Sequence, residues 1–165
     1  MNRRAVLHFY WVLACALLVA AGCEGGGPEP GQARMAPPSE PSFQEFGDFQ
    51  VHFNAVRTDE ITADVARAYG IERSANRVLL NVSMLRKGAD GRTTPVDGTV
   101  TARAYNLNGQ LKDLEIRRIT EGSSVYFIGE VGISSTEILV FEISASPLDQ
   151  PGQYSVQFKR EFVAG

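Results

Sequence analysis

The stretch Phe49-Gln50-Val51-His52-Phe53-Asn54-Ala55 places apolar residues at its odd positions and polar residues at its even positions. Side chains of a β-strand alternate between its two faces, so this pattern predicts a strand with one buried face. Comparable segments follow, separated by polar or Gly/Pro breaks, at residues 77–86, 99–107, 111–119, 124–133, 137–145 and 153–163. About seven short strands predict an all-β fold, a single antiparallel β-sandwich that is immunoglobulin-like in general shape.

Two local signals connect these strands. Asn108-Gly109 follows the third segment, and an Asn-Gly pair is the strongest short hairpin signal because both residues tolerate positive φ. Residues 61–70 break the strand rhythm and predict a short crossover helix between the first and second strands. Thr62 is expected to cap its first turn, and Gly70 to end it in a left-handed conformation.

The first 22 residues have the three zones of a secretory signal peptide. Arg3 and Arg4 give a positive start, residues 5–19 are largely apolar, and the next three residues are small. The apolar stretch is shorter than the roughly 20 residues that a membrane-spanning helix needs. Ala20-Ala21-Gly22-Cys23 resembles the bacterial lipobox, in which the cysteine is acylated and becomes the first mature residue, although the lipobox prefers Leu where Ala20 stands. The alternative is an ordinary signal peptide followed by an incidental cysteine.

Residues 23–44 contain the densest glycine and proline content of the chain. This composition predicts a disordered tether, with a reach on the order of 25–30 Å, between the lipidated Cys23 and a β-sandwich domain over residues 45–165. Two or three acyl chains hold a protein on a membrane where one barely does, so we expect a lipid-anchored protein of the cell envelope that faces the periplasm. Glu24 stands where Asp would resemble an inner-membrane retention signal, which favours the outer membrane.

Charge and cysteine content exclude several function classes. Removal of Arg3 and Arg4 from the 16 basic residues leaves 14 against 19 acidic ones, so the mature formal charge is −5. A nucleic-acid partner is therefore not expected, since such proteins carry a basic excess or stripe. Of the two cysteines, Cys15 lies in the signal peptide, so Cys23 would be the one thiol of the mature chain, which leaves no internal disulfide and no thiol chemistry.

His52 is the single histidine beyond the signal peptide, on the polar face of the first strand. A zinc site would need an all-carboxylate partner set, and a Ser-His-acid triad would have to use this residue without a nucleophile-elbow sequence. No metal, cofactor or catalytic residue is therefore expected, and we expect that the protein is not an enzyme.

The connection between the helix and the second strand is the most unusual stretch. Its Tyr69, Arg73, Ser74, Asn76 and Arg77 have side chains that bind anions or a partner's carboxylate, with His52 nearby as a further candidate. The alternative, which we favour, is a structural role, in which the arginines and the asparagine tie the backbone carbonyls of the loop to the sandwich.

The segments GDFQVHFNA (47–55), ARAYGIERSANR (66–77) and LLNV (79–82) carry a resemblance to a known family. Together they resemble the short proteobacterial exported domains grouped as domain of unknown function 4426, over residues 46–163. The resemblance implies the limits of the domain and offers no activity, cofactor or catalytic residue. Members of the family often have a plain signal peptide, so the lipid anchor would be a departure from them.

These features favour a non-enzymatic envelope lipoprotein whose β-sandwich binds another protein or an envelope component. The alternative is a small-ligand or anion-binding domain, weakly enzymatic at most, centred on the Tyr69 to Arg77 loop. The alternative predicts that the side chains of that loop converge in one concave site. Oligomeric state stays open.

Overall fold

The computed structural model describes residues 42–165, so the predicted signal peptide, Cys23 and most of the predicted tether lie outside the described residues. The larger of two antiparallel sheets has the strand order β1-β2-β3-β8-β7, and β4 pairs with β3 beside this path. These strands cover Phe43–Phe46 (β1), Phe49–Arg57 (β2), Arg77–Lys87 (β3), Thr93–Pro95 (β4), Arg117–Glu121 (β7) and Ser124–Gly132 (β8).

The smaller sheet has the order β10-β9-β5-β6. Its strands cover Gly98–Asn106 (β5), Leu111–Lys112 (β6), Glu137–Pro147 (β9) and Tyr154–Phe162 (β10). Inward-facing residues of both sheets form one main core, in which the Phe158 ring stacks between Phe53 and Phe141 at centroid distances of 4.8 and 5.0 Å. The predicted all-β sandwich is confirmed, and the alternation in the segment 49–55 arises because its odd positions face this core.

The described residues form ten strands instead of seven. The segment 111–119, expected as one strand, splits into β6 in the smaller sheet and β7 in the larger one. Leu114 and Ile116, between the two strands, pack against the main core as the chain passes from one sheet to the other. This passage lies so close to Gly129 that a Cβ there would stand 2.7 Å from the carbonyl oxygen of Glu115.

The predicted hairpin and helix are both present. Gly109 has a φ of 76°, and its amide donates to the Asn106 carbonyl at 2.9 Å in the turn between β5 and β6. After a 3-10 turn at Thr58–Glu60, helix α1 covers Ala63–Tyr69. The Thr62 hydroxyl accepts from the Val65 amide at 3.5 Å, and Gly70 ends α1 with a φ of 63°. Within residues 42–165, α1 is the one α-helix, and no helix there has the length and hydropathy needed to cross a membrane.

Helix α1 packs on the outer face of the larger sheet, the face turned away from the smaller sheet. Ala66 of α1 and the following Ile71 form a second, smaller apolar cluster with Leu79 of β3 and Ile128 of β8. Among the residues of α1, only Ala66 is buried. The helix therefore covers the apolar outer face incompletely and leaves a groove between itself and the sheet.

Candidate functional site

The residues that the sequence singles out between α1 and β3 mostly bind the loop's own surroundings. Arg73 donates from Nη2 to the carbonyl of Asp59 at 2.7 Å. The amide of Ser74 donates to Thr58 Oγ1 at 2.9 Å, and the same hydroxyl donates to the Ser74 carbonyl at 3.1 Å. Thr58 is completely buried, so this paired contact fixes the loop to the start of the 3-10 turn.

Asn76 and Arg77 also have local partners. The backbone amide of Asn76 donates to Ser74 Oγ at 3.0 Å, and the backbone carbonyl of Asn76 accepts from the Ile133 amide at 2.9 Å. Arg77 forms ion pairs with Glu72 at 3.4 Å and, more loosely, with Glu130 at 3.7 Å. Arg73 thus contacts a backbone carbonyl, as the alternative of a structural role predicts, whereas Arg77 contacts carboxylates.

His52 lies elsewhere, on the outer face of β2. Its ring stacks on Phe43 with a centroid distance of 5.1 Å, and its Nε2 lies 3.1 Å from Gln50 Oε1. Partial burial lowers the pKa of His52 below its ordinary value, because it disfavours the charged imidazolium. Of the six predicted binding residues, Tyr69 lines a groove between α1 and the larger sheet. His52 lines a hollow beside this groove, and Arg77 lines a separate shallow surface. The structure does not bring the six side chains into one concavity.

A groove of about 260 Å³ lies between α1 and the outer face of the larger sheet. We call it the α1 groove. Seven aliphatic side chains make up most of its lining. The sheet contributes four of them, Val56, Leu79, Ile119 and Ile128, while α1 and its flanking residues contribute the other three, Ile61, Val65 and Ile71. Val65 is 45% exposed, so part of this apolar lining is open to solvent.

Two asparagines form a polar margin of the α1 groove. Asn54 and Asn81 are partners in the β2–β3 ladder, and both also line the adjoining hollow that contains His52. Asn54 Oδ1 accepts from Arg160 Nη1 at 2.8 Å. Asn81 Oδ1 is buried and has no hydrogen-bond partner among the described residues. A buried amide oxygen without a partner is costly in an apolar setting.

The remaining lining residues, Tyr69, Glu121 and Tyr126, form a cluster at the groove. A hydrogen bond to the Glu121 carboxylate, helped by burial, raises the pKa of Tyr69 above its ordinary value, and Tyr126 adds a smaller electrostatic effect in the same direction. The carbonyl of Tyr69 accepts from Arg117 Nη2 at 2.6 Å, which ties the end of α1 to β7.

The family model for the domain of unknown function DUF4426 matches residues 43–164. The chain belongs to the DUF4426 family. A crystal structure of a DUF4426 protein from Pseudomonas aeruginosa is 32% identical, with a TM-score of 0.63, and the match covers 74% of this chain and 94% of that one. The resemblance seen in the sequence is thereby confirmed, with limits three residues earlier and one residue later than expected.

Two more distant structures show a weak likeness to this DUF4426 chain. They are the GAE domains of GGA2p from Saccharomyces cerevisiae and of yeast GGA1, at 6% and 8% identity and TM-scores of 0.39 and 0.36. The matches cover 73% and 72% of this chain and 96% of each GAE chain. No curated protein matches the chain.

The α1 groove of this DUF4426 domain was not predicted from the sequence, apart from Tyr69. One signal of it is present in the sequence: the outward phase of segment 77–86, which is otherwise polar, contains Leu79 and Leu85, and apolar residues on both faces of a strand indicate that both faces are covered at least in part. Leu79 belongs to the outward phase and lines the groove.

Within residues 42–165, no group of three His, Cys, Asp or Glu side chains is arranged to hold a metal ion.

Proposed function

We propose that this DUF4426 protein is a lipid-anchored, non-enzymatic binding protein of the bacterial cell envelope. In this proposal Cys23 carries the lipid, the tether holds the β-sandwich away from the membrane, and the α1 groove binds an apolar group of an envelope component. The signal-peptide zones and the lipobox-like sequence support the location. The α1 groove supports the binding role.

The observation that carries the binding role is an apolar concavity with a polar margin. Binding sites for small molecules are typically concave, mainly apolar, and equipped with a few polar groups that orient the ligand. The α1 groove has seven aliphatic and two tyrosine side chains, two amides and one carboxylate. Its volume of about 260 Å³ lies just below the usual range of roughly 300–1,000 Å³ for drug-sized ligands, which fits a small apolar body.

The binding role predicts saturable uptake of a neutral apolar dye. We suggest a fluorescence titration of Nile red with the mature-length chain, residues 23–165 carrying Cys23→Ser to keep it free of lipid. Val65→Lys would place a charge at the groove, and the exposed position should allow the fold to persist. Leu148→Lys is the matched control, since Leu148 is an exposed apolar residue that does not line the groove.

We expect the Cys23→Ser mature-length chain and its Leu148→Lys variant to bind the dye equally, and its Val65→Lys variant to lose most of the binding. Absence of saturable binding by the Cys23→Ser chain itself would contradict the proposal. Equal binding by Val65→Lys, with its circular dichroism spectrum unchanged, would show that the dye binds elsewhere and would contradict it as well.

A further inference from the structure

Glu121 is the one charged side chain in the lining of the α1 groove. The other eleven lining residues are aliphatic, tyrosine or asparagine. Among the ion pairs of residues 42–165, none involves Glu121. The groove therefore presents a negative charge beside an apolar surface, and no lysine or arginine of the described residues forms an ion pair with it, the nearby Arg117 guanidinium instead donating to the Tyr69 carbonyl.

Two aromatic rings stand beside this carboxylate. Tyr69 and Tyr126 line the groove together with Glu121, and the pKa of Tyr69 is raised chiefly by the Glu121 carboxylate and slightly by Tyr126. Tyr126 is on β8 and Glu121 on the adjacent β7, where Ile119 is the direct ladder partner of Tyr126. The electron-rich face of a tyrosine ring attracts cations, most strongly where water is partly excluded.

We propose that the ligand of the α1 groove is a small amphipathic organic cation. Its apolar body would lie against the aliphatic lining, and its ammonium group would lie beside Glu121, Tyr69 and Tyr126. The inference rests on the binding role proposed above and adds the charge of the ligand. It is opposite in sign to the anion site considered for the Tyr69 to Arg77 loop, whose arginines already have oxygen partners.

The Glu121 carboxylate and the two tyrosine rings agree with this orientation. An apolar body that fills the groove excludes water from its surroundings, and an ammonium in such a place needs a compensating carboxylate. An anionic headgroup at the same position would face the Glu121 carboxylate without a neutralising partner. A neutral headgroup would gain neither the charge attraction nor the contact with the tyrosine rings.

Three probes with the same six-carbon chain test the charge of the ligand: hexyltrimethylammonium, hexyl glucoside and hexyl sulfate. Their binding to the Cys23→Ser mature-length chain can be followed by isothermal titration and by amide chemical shifts in two-dimensional NMR. We expect hexyltrimethylammonium to bind about three- to fivefold more tightly than hexyl glucoside, and hexyl sulfate to bind most weakly. The shifted amides should include those of Val65 and Ile119.

Glu121→Gln keeps the size of the side chain and removes its charge. It should abolish the preference for the ammonium probe while the glucoside still binds. Glu161→Gln is the matched control, because Glu161 is an exposed carboxylate on β10 of the smaller sheet, and it should leave all three affinities unchanged.

Equal affinity for the three headgroups, or a preference that survives Glu121→Gln, would overturn the inference and leave the binding role intact. Failure of all three probes to bind would instead contradict the binding role itself. The two failures are therefore distinguishable in one set of titrations.

Discussion

Asn81→Leu should stabilise the protein, although it replaces a polar residue on the outer face of the larger sheet. Asn81 Oδ1 is buried without a hydrogen-bond partner, and a buried polar group in this state costs about 1–3 kcal/mol. Leucine removes that cost and places apolar carbon against the aliphatic lining of the α1 groove. Allowing for some crowding, we expect the free energy of unfolding to rise by about 1–2 kcal/mol. For a domain of this size the midpoint of thermal unfolding should increase by about 3–6 °C.

Its ladder partner Asn54 is the matched control for this substitution. Asn54 Oδ1 accepts from Arg160 Nη1 at 2.8 Å, so Asn54→Leu loses a hydrogen bond to a charged donor. Because this bond is exposed and Arg160 Nη1 also donates to the Ala55 carbonyl, we expect Asn54→Leu to lower the free energy of unfolding by about 0.5–1 kcal/mol. Urea unfolding followed by circular dichroism measures both variants under the same conditions. If Asn81→Leu destabilises the chain as much as Asn54→Leu, the reasoning from the unpaired amide oxygen is refuted.

Three further predictions test the fold and the anchor. Thr58→Val removes the hydroxyl that pairs with both backbone groups of Ser74 and should lower the free energy of unfolding by about 2–4 kcal/mol in a urea titration; a loss below 1 kcal/mol would contradict that pairing. Gly98→Ala should lower the free energy of unfolding by more than about 2 kcal/mol, because a Cβ there would collide with the backbone of β9. In the control Gly132→Ala the new Cβ meets nothing within 4 Å, so its effect should be near neutral. Equal thermal midpoints for the two variants would contradict this difference. Intact-mass analysis should find added acyl chains on the wild-type protein from membranes and none on Cys23→Ser. Wild-type protein without acyl chains would contradict the anchor.

The elements that depend on local sequence were predictable. The cap at Thr62 and the left-handed Gly70 follow from hydrogen bonding and φ preferences that need no tertiary information, and both are present in the structure. The strand alternation likewise identifies which side chains face the core. The segment 111–119 was harder because Leu111 and Leu114 are three residues apart, which breaks the alternation where the chain changes sheets. Short exposed β1 and β4 have no buried face, so no alternation marks them.

The candidate site was much less predictable than the fold. The residues that the sequence suggested are mostly polar and close together along the chain, and the side chains of Arg73 and Ser74 bind local backbone while Arg77 pairs with two carboxylates. Asn81 and Glu121 matter because they lie beside surfaces contributed by α1 and β8, which are distant in sequence. Which outward-facing residues are covered by a helix, and which are left beside an open groove, depends on packing that no local pattern encodes.

The loop residues and the α1 groove are nevertheless parts of one arrangement. Contacts at both ends hold α1: Thr58 with Ser74 and Arg73 with Asp59 before and after it, and Arg117 with the carbonyl of Tyr69 at its end. The helix buries only Ala66, so hydrophobic packing alone would hold it weakly against the sheet. These polar contacts fix the wall of the groove without filling the groove with side chains. In the proposed binding role, a wall held in place before a ligand arrives would lower the ordering cost of binding, which gives the contacts of Thr58, Arg73 and Arg117 a physical reason.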